Sequence, residues 1–370
     1  MSDALTALAR DLVALDSRSF VSNLAVADRV EAALAGFEIE HLDYTDAAGV
    51  AKRALVAHRG PPGGLALSGH MDTVPETGWQ VDPWSAHIEG DVLQGLGSTD
   101  MKGPLAACIV AATTLPAHVP ATLLITTDEE TTKQGAQLIA ERSELARRAA
   151  PRGILVAEPT RMIPVRGHRS HILFTATAIG VQAHSSTGRG RNANWDLIPF
   201  LAEMRALHTR VREDPALRDD AYDPPFSDFN LVLDNHGAAV NVSVPKATAR
   251  MKYRYSARID PRVVADAVHD AAARVGVALT EAREGLPPEL PESHALIRAA
   301  ASVTGQSACT APYGTDASQL QALAPCVVLG PGDIAVAHTP GEAVSLAALA
   351  QAVPLFQRLA IEIASSAGHL

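Results

Sequence analysis

His70 and Asp72 are the side chains of this sequence best suited to chemistry, because they stand together where a buried strand is expected to end. Both lie within residues 68–75, directly after the apolar run Leu65, Ala66 and Leu67. Ligand and metal sites in open α/β sheets form just beyond the carboxyl ends of strands. A His and an Asp at such a point, with one residue between them, predict a metal ligand and a carboxylate that orients it.

The same pattern returns at later points of the chain. Acidic residues follow apolar runs or a glycine-rich turn at Asp100, at Glu129 and Glu130, and at Glu158, and His338 lies in a loop rich in Gly and Pro. Two His and several carboxylates form a hard N/O donor set without thiolates, which disfavours a structural zinc site. A bridging carboxylate, with one His and one terminal carboxylate for each ion, would hold two Zn²⁺ or Co²⁺ ions roughly 3.5–4 Å apart.

Glu129 and Glu130 are adjacent, so they project to different sides of an extended segment. One can bind a metal ion while the other receives a proton from the attacking water, which amide hydrolysis requires. Taken singly, these positions have plainer explanations: a partly buried His, a solvated Glu pair, a helix-start acid at Glu158, or a turn or N-cap residue at Asp100. Together they favour a metal site, because most follow apolar strands, where an uncompensated carboxylate is costly.

The composition favours a large two-domain protein and argues against several classes. The chain has 370 residues, of which 47% are hydrophobic and 19% charged, and its net charge is −10. This length is typical of two domains, and an acidic chain without a Lys/Arg run is a poor candidate for nucleic acid or an anionic membrane. Cys108, Cys309 and Cys326 lack metal-site spacing. We expect no membrane-spanning segment, no signal peptide and a cytoplasmic location.

The elements expected around the chemical side chains alternate between strands and helices. Short strands precede His70, the Glu pair and Glu158, and helices are predicted over 101–115, 134–148 and 346–364. This alternation indicates an α/β fold, a mixed or parallel sheet with helices on both faces. Between residues 168 and 284 the pattern fits an α+β ferredoxin-like domain. The prediction is therefore a catalytic domain of residues 1–167 and 285–370, interrupted by a second domain at 168–284.

Six motifs, in this order, give the chain a resemblance to a known family. They are SGHMDTVP, GLGSTDMKG, TTDEE, AEPT, GVQAHSS and GPGDIAVAHTP. In them the chain resembles the acetylornithine deacetylase / succinyl-diaminopimelate desuccinylase family of dinuclear zinc amidohydrolases, over nearly its whole length. The resemblance implies a zinc-peptidase-like catalytic domain, two divalent ions (zinc or cobalt) and an inserted lid domain through which two copies form a homodimer.

The resemblance also implies roles for the side chains at the strand ends. Five of them would bind metal: His70 and Glu158 at one ion, Glu130 and His338 at the other, and Asp100 between the two. Glu129 would be the general base, and Asp72 would orient His70 without binding metal itself. The peptide bond between Asp100 and Met101 is expected to be cis.

Further residues match the part of the family that meets the substrate. His184 matches the lid histidine that reaches the active site of the partner subunit, where it would stabilise the oxyanion of the tetrahedral intermediate. Asn241 and Arg254 match lid positions that contact the substrate, and Arg254 would clamp its carboxylate. Thr315 matches a loop that lines the pocket. Without the resemblance, His184 is a surface turn residue and Arg254 a solvated charge.

Within the family, the acetylornithine deacetylase branch is the most similar, with Asp316 and Tyr255 as departures from its usual residues. The implied activity is the hydrolysis of N-acetyl-L-ornithine to L-ornithine and acetate, a step of arginine biosynthesis. Alternatives within the class are deacylation of acetylcitrulline, acetyllysine or succinyl-diaminopimelate, and metallo-dipeptidase or carboxypeptidase activity. A metal-binding protein without catalysis is less consistent with the presence of Glu129.

Overall fold

The structure is a computed structural model that describes residues 2–227 and 229–366. Its strands are β1 (Glu38–Thr45), β2 (Ala51–Arg59), β3 (Leu65–His70), β4 (His87–Glu89), β5 (Val92–Gln94), β6 (Ala121–Thr126), β7 (Gly153–Val156), β8 (Val165–His168), β9 (Ser170–Ile179), β10 (Phe229–Asp234), β11 (Lys246–Tyr255), β12 (Ala278–Arg283), β13 (Cys309–Ala311), β14 (Cys326–Val328) and β15 (Ala343–Ser345). Its helices are α1 (Ser2–Val13), α2 (Leu24–Glu31), α3 (Lys102–Thr113), α4 (Gln134–Arg142), α5 (Glu144–Ala149), α6 (Ala193–Glu213), α7 (Arg262–Val275), α8 (Ala295–Thr304), α9 (Ala317–Leu320) and α10 (Leu346–Ser365).

The chain falls into two compact units. The first comprises Met1–Gly167, Pro288–Cys309 and Thr315–Leu370, and the second comprises His168–Pro287 and Thr310–Gly314. The first unit is therefore assembled from segments on either side of the second. The boundaries inferred from the sequence, and the role of the second unit as a lid, stay predictions.

The large sheet of the first unit brings the carboxyl ends of four parallel strands to one edge. Its order is β1-β2-β6-β3-β7-β14-β8-β13. The four neighbours β6, β3, β7 and β14 are parallel, whereas β1, β2 and β8 pair in antiparallel fashion. Every residue of β3, β6 and β7 is buried, as expected for parallel strands covered by helices. The predicted mixed α/β sheet is confirmed.

Two apolar helices, α3 and α10, lie at the centre of the core of the first unit. The Ala-rich α3 is buried on all sides, which is typical of a helix inside a core. By length and composition, α10 is the one helix among the described residues that could cross a membrane, which the sequence-based expectation did not foresee. Its side chains at seven positions between Leu349 and Ile363 are buried in the same core as α3, as in the core helix of a globular unit.

The second unit has the element order β9-α6-β10-β11-α7-β12. Its sheet is antiparallel throughout, with the order β10-β11-β9-β12. The helices α6 and α7 contact each other and the sheet, and a separate apolar core fills the space between them. This order and pairing are those of the predicted ferredoxin-like fold.

The helix predicted over residues 134–148 is wrong as a single element. The structure has two helices there, α4 and α5, which are separated at Ser143. The backbone of Ser143 is extended, and its hydroxyl accepts the N–H of Ala146 at the start of α5. A serine with this geometry is a favourable N-cap, so it begins a new helix rather than continuing the old one.

Candidate metal centre

The predicted metal-binding side chains follow the parallel strands of the first unit. His70 is the last residue of β3 and pairs with Thr126, the last residue of β6. Glu129 and Glu130 follow β6 after a short turn, and Glu158 comes two residues after β7. Since these strands end at one edge of the sheet, the fold itself gathers side chains that are far apart in sequence.

One group of donors consists of His70, Asp100 and Glu158, and all three are buried. His70 Nε2 lies 3.0 Å from Asp100 Oδ1 and 4.0 Å from Glu158 Oε1. One donor atom from each side chain falls within 4.8 Å of the others. The three side chains that the family resemblance assigns to a single ion are therefore together.

A second group consists of Asp100, Glu130 and His338. His338 Nε2 lies 2.9 Å from Glu130 Oε1 and 3.3 Å from Asp100 Oδ2. The ring of His338 is 48% exposed, and its backbone has a φ of 60°. This conformation is strained for a residue other than Gly, and such strain is concentrated at functional sites. The two groups share Asp100, which offers Oδ1 to one histidine and Oδ2 to the other.

The electrostatics of these carboxylates fit the presence of cations. Burial, together with the negative charge of Asp100, raises the pKa of Glu130 to about 7 and also raises the pKa of Glu158. Burial would likewise raise the pKa of Asp100, but hydrogen bonds with His338 and His70 hold it well below its usual range. Crowded carboxylates of this kind are stabilised when a divalent ion lies between them. The donor set of three carboxylates and two imidazoles thus fits two divalent ions, with Asp100 between them.

Asp72 lies beside His70 but has a broader role than the sequence suggests. Its Oδ1 is 3.5 Å from His70 Nδ1, whereas its backbone carbonyl oxygen is closer, at 3.0 Å. The carboxylate accepts the N–H groups of Glu129 and Glu130, at 3.1 and 3.2 Å, and the hydroxyl of Ser19 at 2.8 Å. Asp72 therefore contacts both the His70 ring and the turn that carries the two glutamates.

The turn that presents Glu129 and Glu130 is built around Asp128, whose φ is 63°. Its carbonyl oxygen accepts the N–H groups of Thr132 and Lys133. Its carboxylate, which is buried, lies 2.9 Å from Lys52 Nζ and accepts the hydroxyl of Tyr44 at 2.7 Å. A left-handed residue other than Gly persists when its surroundings fix it, and these contacts do so.

Glu129, the predicted general base, is nearly buried and has a cation beside it. Its Oε1 contacts the ammonium group of Lys133, which is also buried and which donates to the Glu129 carbonyl oxygen at 3.3 Å. Glu129 belongs to neither donor group. Glu129 is thus not one of the five metal-binding candidates, although its catalytic role stays a prediction.

In the second unit, His184 and Asn241 are close together. Ser185 N–H donates to the Asn241 carbonyl oxygen at 2.9 Å, and both predicted side chains are exposed. Nδ1 of His184 lies 2.7 Å from the Ser186 hydroxyl oxygen and 3.3 Å from the Ser186 backbone nitrogen. Both contacts involve Nδ1 and not Nε2 of the exposed ring.

Arg254 lies at the other end of the same sheet. It pairs with His171, whereas the first residue of β11, Lys246, pairs with Ile179 near the His184 segment. Those ends of β11 are roughly 25 Å apart. The structure does not bring Arg254 together with Asn241 within one chain.

Thr315 is fully buried at the start of α9, where its hydroxyl accepts the N–H of Ala317. The next residue, Asp316, is also buried, and its carboxylate contacts the hydroxyl of Thr126 at the end of β6. Burial, together with the charge of Glu129, raises the pKa of Asp316 to about 7. A role of Thr315 in substrate binding stays a prediction.

Three buried side chains near the centre were not among the sequence-based candidates. Lys52 lies on β2, Lys133 directly precedes α4, and Glu342 accepts the N–H groups of Thr99 and Asp100. Two of them are lysines within apolar or turn segments, where a buried charge signals a specific partner. For Glu342 the only signal in the sequence is its position four residues after His338.

The sequence profile described as Peptidase family M20/M25/M40 matches residues 66–362. Among curated proteins, the acetylornithine deacetylase of Myxococcus xanthus is 32% identical, over 96% of this chain and 99% of its own length. The acetylornithine deacetylase of Proteus mirabilis (strain HI4320) is also 32% identical, over 84% of this chain and 82% of its own length.

Two solved structures share the fold. The dipeptidase Dug1p of Saccharomyces cerevisiae superposes with a TM-score of 0.76 at 14% identity, over 98% of this chain and 96% of its own. Human carnosine dipeptidase 1 superposes with a TM-score of 0.74 at 15% identity, over 99% and 97%. At these identities the likeness concerns the fold alone.

Proposed function

This chain belongs to Peptidase family M20/M25/M40 and is a metal-dependent hydrolase, and on that premise we propose that it removes the acetyl group from N-acetyl-L-ornithine. The observation that carries the proposal is the pair of donor groups that share Asp100, with Glu129 beside them. The substrate is suggested by the relatives at 32% identity, both named acetylornithine deacetylase. The products would be L-ornithine and acetate, as in arginine biosynthesis.

When bound, the two ions, zinc or cobalt, would activate water and polarise the acyl carbonyl. Glu129 takes the proton of the attacking water and delivers it to the leaving amine. Lys133 contacts Oε1 of Glu129, which leaves Oε2 as the proton acceptor. The Asp72 carboxylate accepts the N–H groups of Glu129 and Glu130. The general base Glu129 and the metal ligand Glu130 are therefore fixed in position relative to each other.

The proposal includes a homodimer formed through the second unit. The edge strand β10 exposes Leu231, Val232 and Leu233, and α6 exposes Trp195 and Ile198. A flat, apolar sheet edge is a template for pairing with another chain, and apolar patches of this kind mark protein interfaces. We commit to a second copy of this chain as the occupant.

In the proposed dimer, the substrate-contacting residues of the second unit have different roles. His184 of the partner subunit would donate from Nε2 to the oxyanion, with Asn241 beside it. We also propose that Arg254 clamps the substrate carboxylate and that Thr315 lines the substrate pocket. All three cysteines are free thiols, which fits the proposed cytoplasmic location.

The first experiment is a hydrolysis screen with the protein loaded with Zn²⁺ or Co²⁺. The substrates are acetylornithine, acetylcitrulline, acetyllysine, succinyl-diaminopimelate and a set of dipeptides, and the Glu129→Gln variant is the control. We expect acetylornithine to be hydrolysed fastest. Clear turnover of another substrate without acetylornithine would replace the proposed substrate, and no turnover of any by the metal-loaded protein would contradict the amidohydrolase proposal.

The second experiment tests the dimer by complementation. His184→Ala and Glu129→Gln chains are each purified, then mixed under conditions that exchange subunits. In a mixed dimer, the His184→Ala chain supplies an intact Glu129 and the Glu129→Gln chain supplies an intact His184 to the same site. Activity should therefore return on mixing. If mixing restores nothing although native mass spectrometry shows mixed dimers, His184 does not act across the interface.

A further inference from the structure

Glu342 is a buried carboxylate that the proposed reaction does not use. It is 1% exposed. Its Oε1 accepts the N–H of Thr99 at 2.9 Å and the N–H of Asp100 at 3.0 Å, and its backbone oxygen accepts the N–H of Gly95 at 3.1 Å. A buried carboxylate is retained when hydrogen bonds compensate its lost hydration. The three bonds hold Glu342 against one side of the turn that ends at Asp100.

That turn has little freedom to move as a body. Gly97 has a φ of +81°, and a Cβ there would lie 2.6 Å from both the Lys102 Cε and the Thr73 Cγ2 atoms. A Cβ on Gly103 would collide with the carbonyl oxygen of Ser98. Small shifts of Asp100 would therefore move the packed backbone around it, which interiors resist.

Glu342 also belongs to the loop that carries His338. Its N–H donates to the carbonyl oxygen of Thr339 at 3.1 Å, and the strand β15 follows directly. Asp100 and His338, whose side chains lie 3.3 Å apart, are thus linked a second time through Glu342. The Glu342 side chain therefore joins two segments that are distant in sequence, since Asp100 and Glu342 are 242 residues apart.

We propose that Glu342 is a positioning residue for the metal centre, which sets the separation between Asp100 and His338 before any ion binds. It holds no ion itself, because neither donor group includes it and its Oε1 is bonded to backbone N–H groups. Partners of this kind around a metal site are worth about 10- to 100-fold in metal affinity. The proposal concerns the donor geometry, so it stands whichever acyl amino acid is the substrate.

The test uses the full chain, stripped of metal, and three variants. Glu342→Leu removes the acceptor, Glu342→Gln keeps one carbonyl oxygen at nearly the same size, and Glu362→Gln is the control because Glu362 is exposed on α10. The first measurement is a competition titration of both ions with Co²⁺. The second is hydrogen exchange at the Thr99 and Asp100 amides in the metal-free chain, and the third is the unfolding temperature.

We expect Glu342→Leu to lower the affinity for at least the ion at Asp100, Glu130 and His338 by about 10- to 100-fold. Hydrogen exchange at the backbone amides of Thr99 and Asp100 should become faster. Glu342→Gln should show a smaller loss, and Glu362→Gln none. If the Leu variant does not fold, the Gln variant decides: unchanged affinity and unchanged amide exchange overturn the proposal. Lower unfolding temperature with wild-type affinity for both ions also overturns it, because that result describes a purely structural residue.

Discussion

The two donor groups share Asp100 but differ in how the protein encloses them. In the first group His70 is 1% exposed, and its Nδ1 lies against the backbone carbonyl and carboxylate of Asp72. In the second group His338 is 48% exposed and stands in a loop with a φ of 60°. One side of the centre is closed and fixed by a strand, whereas the other opens towards solvent.

This difference indicates that the two donor groups would not hold their ions equally. A ligand in a fixed, buried position loses little freedom on binding an ion, while an exposed ligand on a loop must be ordered at a cost in entropy. The open group is also the one that solvent can reach without movement of the core. We therefore expect the ion of the buried group to be held more tightly and to exchange more slowly.

The largest effect should come from Asp100→Ala. Because Asp100 belongs to both donor groups, its loss disrupts the closed group and the open group at once. Each ion contributes several kcal/mol to the reaction, so hydrolysis should fall by roughly 10⁵-fold. Metal analysis should find fewer than two ions per chain. Retention of both ions with wild-type activity would show that Asp100 does not bridge them.

Glu129→Gln is expected to remove catalysis while both donor groups keep their different affinities for metal. Glu129 belongs to neither group, and loss of a general base costs about 10²- to 10⁴-fold in rate. The fall should lie in kcat, with both ions still bound by metal analysis. Glu213→Gln, an exposed change in the second unit, serves as the control. Full activity in Glu129→Gln would assign the base to another residue.

Removal of metal by a chelator should separate the groups in time. We expect two phases, with the ion at Glu130 and His338 leaving first. His338→Ala should abolish the fast phase and keep the slow one, because Ala leaves His70 and Glu158 in place. A single phase in the wild-type protein, or loss of the slow phase in His338→Ala, would contradict the distinction between a closed and an open site.

The smallest effect is expected from Tyr44→Phe, which acts beneath the turn and not in either group. It deletes the hydrogen bond to Asp128 and should lower the free energy of unfolding by about 1 kcal/mol. Both metal affinities should remain within twofold of wild type. Urea denaturation of the metal-free chain measures the change, with the exposed substitution Glu213→Gln as the control. A tenfold loss of metal affinity would contradict this expectation and show that the Tyr44 hydroxyl also helps to position Glu130 for metal binding.

The side chains at the strand ends could be predicted because two local rules coincide there. A run of apolar residues identifies a buried strand, and a His or an acidic residue within a few positions after that run lies at the edge of the sheet, as at His70 and Glu158. His338 follows no such strand directly. The sequence offers it as a candidate in a Gly- and Pro-rich loop but cannot fix its position, because a loop places a side chain by contacts that local sequence does not encode.

The residues that the sequence did not reveal depend on distant partners. Lys52 is paired with Asp128, and Glu342 is bonded to Thr99 and Asp100. No spacing rule connects positions so far apart. The break between α4 and α5 was missed for the opposite reason: Ser143 is a local signal, but the helical pattern on both sides outweighed it.

The shared position of Asp100 has a consequence for the newly made chain. All residues of the buried group have been added to the chain once Glu158 is synthesised, whereas the open group is incomplete until His338 is added. At 5–20 residues per second, that interval is on the order of 10–40 s. The order of synthesis therefore completes the donor set of the buried group first, and the open group, which shares Asp100, becomes complete only when His338 has been added.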